Sequence, residues 1–404
     1  MSNQKALKEA AMFPNHPDYD KAAYRRLPIY QREVDIRDCF ERDYTRILFS
    51  KAYRRMKHKT QVFFAVSNDH ICTRLEHVTL VQSVSESIAE YLGLNVHLVR
   101  AIAAGHDLGH APFGHGGEKI LSKLYQSHQL GAFFHEKNSL YFVDKIETLK
   151  DDSNQDQPLN LTYAVRDGII CHCGEVNLEA ISPRKEYIDL DSYQYPGQYA
   201  PYTYEGCVVK MADKVAYLSR DIEDALELGF LNHQDIVQLT SALRTIDDRI
   251  SGIDNGTLIH YFISDICLNS SIERGIALSP KAYLVMKELM QYNYQQIYLN
   301  QRLAVFDDYV ALMIHSLFDA LYQAWHPEEQ LAVLNDLAKI YPTLVTYFIN
   351  WLKQYAMMDG NHACHHLCIY DIRHKEEYCH AILDYISGMT DTFILKAFNE
   401  LVRF

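Results

Sequence analysis

An all-α fold follows from three features of this sequence. It holds only 17 glycines and 11 prolines in 404 residues, about 7% against the ~12% usual in proteins. Apolar residues recur at helical spacing through most long segments. No alternation of period two lasts long enough to build a sheet. In chain order, residues 1–30 form a polar, tyrosine-containing arm, expected to dock loosely. Residues 31–230 make a helical core, with three apolar-periodic helices between 38 and 150. The polar stretch Asp151–Pro158 ends in proline and reads as a surface loop. A second loop, Ser182–Tyr204, carries three prolines and six tyrosines. A strong helix runs from Gly206 to about 230. Residues 232–404 alternate long helical patterns with short polar joints, so 231–404 is a helical C-terminal region packed on the core.

The sequence carries 39 lysines and arginines against 52 aspartates and glutamates, a formal net charge of −13. A global basic footprint for nucleic acid is therefore absent, and any anionic ligand requires locally concentrated cations. Nine cysteines without framework spacing, and an N-terminus without an apolar leader, point to free thiols in a reducing cytoplasm. No apolar run approaches the ~20 residues of a membrane span.

The chemistry concentrates in histidines and acids. In the stretch LVRAIAAGHDLGH, Leu98, Ile102 and His106 share the apolar face of a helix. In RLEHVTLVQSVSESIAEYL, His77 lines up with Val81, Val84 and Ile88. A histidine on such a face is ordinarily a satisfied core residue. Here Asp107 follows His106 directly, and His110 and His115 come within the next ten residues. Buried imidazoles and carboxylates need partners, and a divalent cation is the simplest common one. In VVKMADKVAYLSRDIEDALELG, Asp213, Tyr217 and Asp221 fall on one helix face. The bland alternative is an exposed stripe of ion pairs with Lys214 and Arg220. The glycines at 109, 114, 116 and 117 lack a following Gly-Lys-Ser/Thr, which excludes a P-loop. The loop from Asp152 lacks the glycine and glutamate an EF-hand needs.

The order His77, His106-Asp107, Asp213 resembles the H…HD…D pattern of the HD superfamily of metal-dependent phosphohydrolases. Longer segments closely resemble its dGTP triphosphohydrolase (dGTPase-like) branch: YTRILFSKAYRRMKHKTQVF, TRLEHVTLVQ, AGHDLGHAPFGHGGE, FFHEKNSL, DGIICHCGE, KMADKVAYLSRDIEDA and ISGMTD. The series runs in order from about residue 40 to 395. The resemblance implies an HD-domain helical bundle with a helical C-terminal extension. It also implies metal-dependent hydrolysis of dGTP and possibly other dNTPs to deoxynucleoside and inorganic triphosphate. The arm and residues 231–280 match poorly.

Under this resemblance His77, His106, Asp107 and Asp213 are the metal ligands. Such an N2O2 set suits Mn, Mg, Fe, Co, Ni or Zn according to availability. His115 resembles the catalytic histidine and Glu118 its partner, three residues on, where a carboxylate orients an imidazole and raises its basicity. His110 and His135 match further active-site histidines. Arg74 and Lys214 resemble phosphate-binding cations. Gln61 and Asp221 resemble contacts to the sugar 3′ hydroxyl, and Tyr217 the ring that leaves no room for a 2′ hydroxyl. The family further implies a homo-oligomer, a hexamer or tetramer, and in some members an allosteric nucleotide. Other substrates of the same centre would be nucleoside monophosphates or short oligonucleotides, and a third reading is a nucleotide-binding regulatory oligomer with little turnover.

Three features stay open. Lys51, Arg54, Arg55, Lys57 and Lys59 make a basic run that is either a solvated face, a collector of nucleotides or a weak binder of single-stranded nucleic acid. The cluster His362, Cys364, His365, His366 and Cys368 meets half of a structural-zinc spacing, with His374, Cys379 and His380 as the other half. A histidine-rich surface is the simpler reading. Cys171-His172-Cys173 is expected to line the active site without holding metal.

Overall fold

The computed structural model describes residues 5–30, 34–64, 68–174, 179–357 and 368–403. Among them are 17 α-helices. In chain order they are α1 (Tyr19–Ala22), α2 (Cys39–Phe49), α3 (Lys51–Arg55), α4 (Arg74–Leu92), α5 (Val96–Gly105), α6 (Gly114–Ser127), α7 (His135–Tyr141), α8 (Tyr163–Cys171) and α9 (Tyr204–Glu227). There follow α10 (His233–Ile246), α11 (Asn255–Asn269), α12 (Pro280–Asn293), α13 (Gln301–Tyr322), α14 (Gln330–Leu337), α15 (Pro342–Tyr355), α16 (Lys375–Ser387) and α17 (Asp391–Val402). The all-α expectation holds. No described helix is long and apolar enough to cross a membrane.

Three two-stranded ladders were not expected. The first, β1 (Thr148–Lys150) with β2 (Asp156–Pro158), is antiparallel. It corrects the reading of Asp151–Pro158 as plain loop: Asp151 accepts from the backbone N–H of Ser153 and Gln155, which closes a turn between the strands. The others are β3 (Ala180–Ile181) with β4 (Ile276–Ala277), and β5 (Ala356–Met357) with β6 (Tyr370–Asp371). Two or three residues are too few to show a period in sequence. Six helices, not three, lie between residues 38 and 150. Seven described cysteines carry free thiols. Cys368 is disulfide-bonded and so departs from the all-thiol expectation.

The chain divides into two compact units, each built from separated segments. The first comprises Met1–Leu48, Asn68–Asp107 and Asn160–Ala304. Here α4, α5, α8 and α9 pack on one another, with α11 against α4 and α9. Thr73 caps α4 in a capping box with Glu76, and Thr203 caps α9 by accepting from the Gly206 N–H. The expected stripes are buried: Val81, Val84 and Ile88 on α4, Leu98 and Ile102 on α5. The N-terminal arm is anchored, not loose. Leu7, Ala11 and Met12 are buried, and buried Glu205 accepts from the backbone N–H of Met12 and Asn95. Arg25 reaches Asp43 at 2.5 Å and the Asn160 carbonyl at 2.7 Å.

The second unit comprises Phe49–Ser67, Leu108–Leu159 and Val305–Phe404. In it α16 packs on α6 and α15, and α15 on α17. Buried Asp384 on α16 accepts from the hydroxyls of Tyr125 and Tyr370, each at 2.5 Å.

Asp43 is the polar hub of the first unit. It is fully buried and accepts from Arg25 and from both the backbone N–H and the hydroxyl of Thr162. Asp43→Ala leaves a guanidinium and a buried N–H without their acceptor. The expected loss is ~3–5 kcal/mol of unfolding free energy, read by denaturant titration; a change below about 1 kcal/mol would refute the hub.

Candidate metal centre and histidine cluster

The sequence-predicted site residues fall into two groups, one in each unit. In the first unit, the α4 cap places His77 one turn into the helix, on its buried face. His106 is the residue that ends α5. Its Nδ1 lies 2.7 Å from the Ala103 carbonyl. A carbonyl only accepts, so Nδ1 carries the proton and Nε2 the lone pair. That Nε2 is buried and has no hydrogen-bond partner. It lies 3.8 Å from Asp213 Oδ1 and 3.9 Å from Asp107 Oδ2. His77 Nε2 is 2.9 Å from Asp213 Oδ1. His77, His106, Asp107 and Asp213 are all buried.

The electrostatics suit a cation. Burial pushes the His106 imidazole down to about 4, so it stays neutral near pH 7. Burial alone would raise the Asp213 carboxyl, but the hydrogen bond and charge of His77 outweigh it and hold Asp213 below its usual range. Ligand atoms of His77, His106 and Asp213 lie within 4.8 Å of one another, and Asp107 joins the His106 side; this donor set, with its unused buried lone pair on His106, has the chemistry of a divalent-ion site. Arg74, expected on phosphate, ion-pairs with Asp107 inside the core. Its five donors leave it capable of a second contact.

The α9 face continues from Asp213 through Lys214 and Tyr217 to Asp221, about 12 Å along the helix by its rise of ~1.5 Å per residue. Asp221 is buried and accepts from the Tyr298 hydroxyl at 2.5 Å. Tyr298 closes a π-helical turn, Tyr294–Tyr298, that follows α12. Such turns recur at functional positions. Nothing in the sequence singled out Tyr298, because a π-turn leaves no periodic mark.

In the second unit, Glu118 on α6 is shared by two imidazoles. His115 Nδ1 lies 3.3 Å from Glu118 Oε2. His135, which opens α7, places its backbone N–H 2.8 Å from Oε1 and its Nδ1 3.2 Å from both oxygens. Burial opposes ionisation of Glu118, yet His135 and His115 together hold its carboxyl well below the usual range. It is therefore an ionised acceptor that fixes Nδ1 of His115 as the donor. The His115 side chain is 83% exposed, so its Nε2 is open to a ligand. His110 stacks on His135 with ring centroids 4.6 Å apart. Gln61 lies beside Gly114, its backbone carbonyl near that residue's α-carbon.

The loop that carries His110 and His115 is tied at several points. Lys59, buried, donates to the His110 and Ser387 carbonyls. Asp391, from the segment ISGMTD, accepts from Phe113 N–H and from the N–H and hydroxyl of Thr60. Two of the glycines serve close approach, not phosphate binding: a Cβ at Gly109 would lie 2.1 Å from Ser139 N, and one at Gly117 1.8 Å from the Pro112 carbonyl. The basic run is not a single solvated face. Lys59 is inside, and Arg55 pairs with Glu147 at 3.0 Å.

One residue exceeds its expected part. His172, read as wall, has a ligating nitrogen within 4.8 Å of ligating atoms of His106 and Asp107. Of the possible zinc cluster, His362, Cys364, His365 and His366 lie outside the described residues.

The HD domain family model matches residues 74–218, which span His77 through Tyr217. A deoxyguanosinetriphosphate triphosphohydrolase-like protein of Caldanaerobacter subterraneus is 30% identical over 371 residues, covering 92% of this chain and 87% of the relative. One from Clostridium tetani is 30% identical over 381 residues, 92% of this chain and 88% of that one. One from Desulfatibacillum aliphaticivorans is 37% identical over 281 residues, 69% of this chain and 71% of its own. With identity of 30–37% over most of the chain and of these relatives, the chain belongs to the deoxyguanosinetriphosphate triphosphohydrolase-like family of HD-domain proteins.

Proposed function

We propose that the protein hydrolyses deoxynucleoside triphosphates, dGTP among them, at the α-phosphate with the help of a divalent cation. The observation that supports this most is the buried His106 Nε2, whose lone pair faces Asp107 and Asp213 without a hydrogen-bond partner. His77, His106, Asp107 and Asp213 would hold the ion. Such an ion acts as a Lewis acid on phosphate oxygen and lowers the pKa of a coordinated water.

The remaining work falls to side chains. Water oxygen bonds to the α-phosphorus and the bond from phosphorus to the 5′ oxygen breaks. The departing oxygen needs a proton. His115 supplies it from Nε2, because ionised Glu118 engages its Nδ1 and stabilises the imidazolium. Arg74 and Lys214 offset triphosphate charge, and His110 and His135 donate to its oxygens. Gln61 and Asp221 hold the 3′ hydroxyl. Tyr217 packs on C2′ and leaves an added hydroxyl buried without a partner, a cost of about 1–3 kcal/mol against ribonucleotides. The products are deoxynucleoside and inorganic triphosphate.

The test is incubation with each dNTP and rNTP, and separately with a short oligonucleotide, with Mn2+ or Mg2+, and chromatographic separation of products. Deoxynucleoside plus triphosphate is expected. Orthophosphate, or mononucleotides from oligonucleotide, would replace this reading with another substrate of the HD centre, and tight dNTP binding without turnover would replace it with a regulatory role.

Three variants separate the groups. His106→Ala and Asp107→Ala should each lose bound metal, measured by elemental analysis after dialysis, together with turnover. Full activity in a metal-free preparation of either sinks the ligand assignment. His115→Ala should keep metal content and substrate affinity while kcat falls by roughly 10²–10⁴. Loss of metal from this variant would instead make His115 a ligand.

A further inference from the structure

The proposal that follows rests on the metal-binding reading above. His172 repeats the local structure of His106. Each is the residue at which a helix ends, His106 after α5 and His172 after α8, and these two helices pack together. Their backbones match, with φ −59° and ψ −37° at His106 and φ −68° and ψ −34° at His172. Each places Nδ1 on the carbonyl three residues back: His106 on Ala103 at 2.7 Å, His172 on Ile169 at 2.6 Å. The tautomer is therefore the same, with the proton on Nδ1 and the lone pair on Nε2. The two rings lie 4.9 Å apart, centre to centre. Both helices direct their carbonyl ends, the negative poles of their dipoles, toward these imidazoles, which favours a cation there.

His172 is also rigidly held. It is 1% exposed. Lys210 on α9, buried, donates to the carbonyls of Cys171 and Cys173 on either side of it. Lys210 stands one helical turn before Asp213 on the same helix. The segment bearing His172 is thus pinned to the helix that presents Asp213.

Among the described residues whose ligand atoms lie within metal-binding reach of one another, two triads include His106: His77, His106 and Asp213, and His106, Asp107 and His172. They share His106. With Nδ1 committed to Ala103, His106 has one lone pair to give, so it can bind one cation only. The two triads accordingly describe one ion. We infer that His172 Nε2 is a fifth protein ligand, completing an N3O2 shell with His77, His106, Asp107 and Asp213. Three imidazoles favour Mn, Fe, Co, Ni or Zn over magnesium, which prefers oxygen.

The decisive measurement is made on the wild-type protein loaded with Mn2+. Electron spin-echo modulation counts the ligating nitrogens, and histidine labelled with 15N assigns them to imidazole. Three are expected, and two would overturn the inference. Mn2+ and Mg2+ affinities of His172→Ala and His172→Gln are then compared with wild type by equilibrium dialysis, with circular dichroism in chelator to verify folding. Mn2+ affinity should fall by at least about tenfold, the loss typical even of a residue that only supports a ligand, and Mg2+ affinity by less. Unchanged Mn2+ affinity in a folded variant also overturns it. If neither variant folds, the nitrogen count decides. Failure of the metal reading looks different: wild type then takes up no Mn2+, and His106→Ala matches it.

Discussion

The first unit's chemistry depends on one hydrogen bond, from His106 Nδ1 to the carbonyl of Ala103. It is made within a single helical turn, so forming α5 forms it. It settles which nitrogen is basic before any other residue takes part. Everything around it keeps that nitrogen exposed to two carboxylates and away from water. Burial prevents protonation near neutrality. Arg74 orients Asp107, and His77 fixes Asp213. An imidazole held this way has been desolvated as folding proceeds, and only a cation restores the lost interaction at full strength. Hydrophobic packing of α4, α5, α8 and α9 supplies the energy that makes this arrangement tolerable.

The second unit solves a different problem, which is to hold one exposed imidazole still. His115 projects outward, so packing cannot orient it. Orientation comes from Glu118, and Glu118 is itself shared with His135, whose backbone N–H and Nδ1 both engage it. Behind them the loop is tied to residues from both ends of the unit's sequence, through Lys59 and Asp391. A carboxylate nearly three hundred residues away from Phe113 therefore takes part in placing His115. Small residues at Gly109 and Gly117 let the backbone pass close enough for those ties to form.

Helices were legible in the sequence because their signals are long. The stripes of α4 and α5 and the scarcity of glycine and proline all repeat over many residues. The ladders were not, since two or three residues cannot display a period. The arm appeared loose because its anchors, Arg25 on Asp43 and Met12 on Glu205, are contacts between distant residues. The candidate ligands were legible through an ordered motif. His172 was not, because its likeness to His106 is a matter of helix ends: one helix stops before His-Asp, the other before His-Cys, and sequence alone does not show that both stop in the same conformation. Arg74 illustrates the converse. Its position was clear, but its partner Asp107, 33 residues away, is visible only in the fold.

The net charge of −13 sharpens what this arrangement has to achieve. A polyanion approaching the protein meets an unfavourable field, so attraction must be local and short-ranged. The cationic residues nearest the ligand set are not free surface lysines. Arg74 is buried against Asp107, Lys214 is buried on α9, and Lys210 is spent on the carbonyls flanking His172. Buried cations gain strength from the low dielectric, and they are less screened by salt than exposed ones. Their positions are also fixed by the same helices that carry His77, His106 and Asp213. A centre of this kind discriminates by geometry more than by accumulated charge. Under the proposed function, a ligand would have to place its negative oxygens where a few immobile groups already stand, which is the requirement that separates a tailored anion site from a generally basic surface.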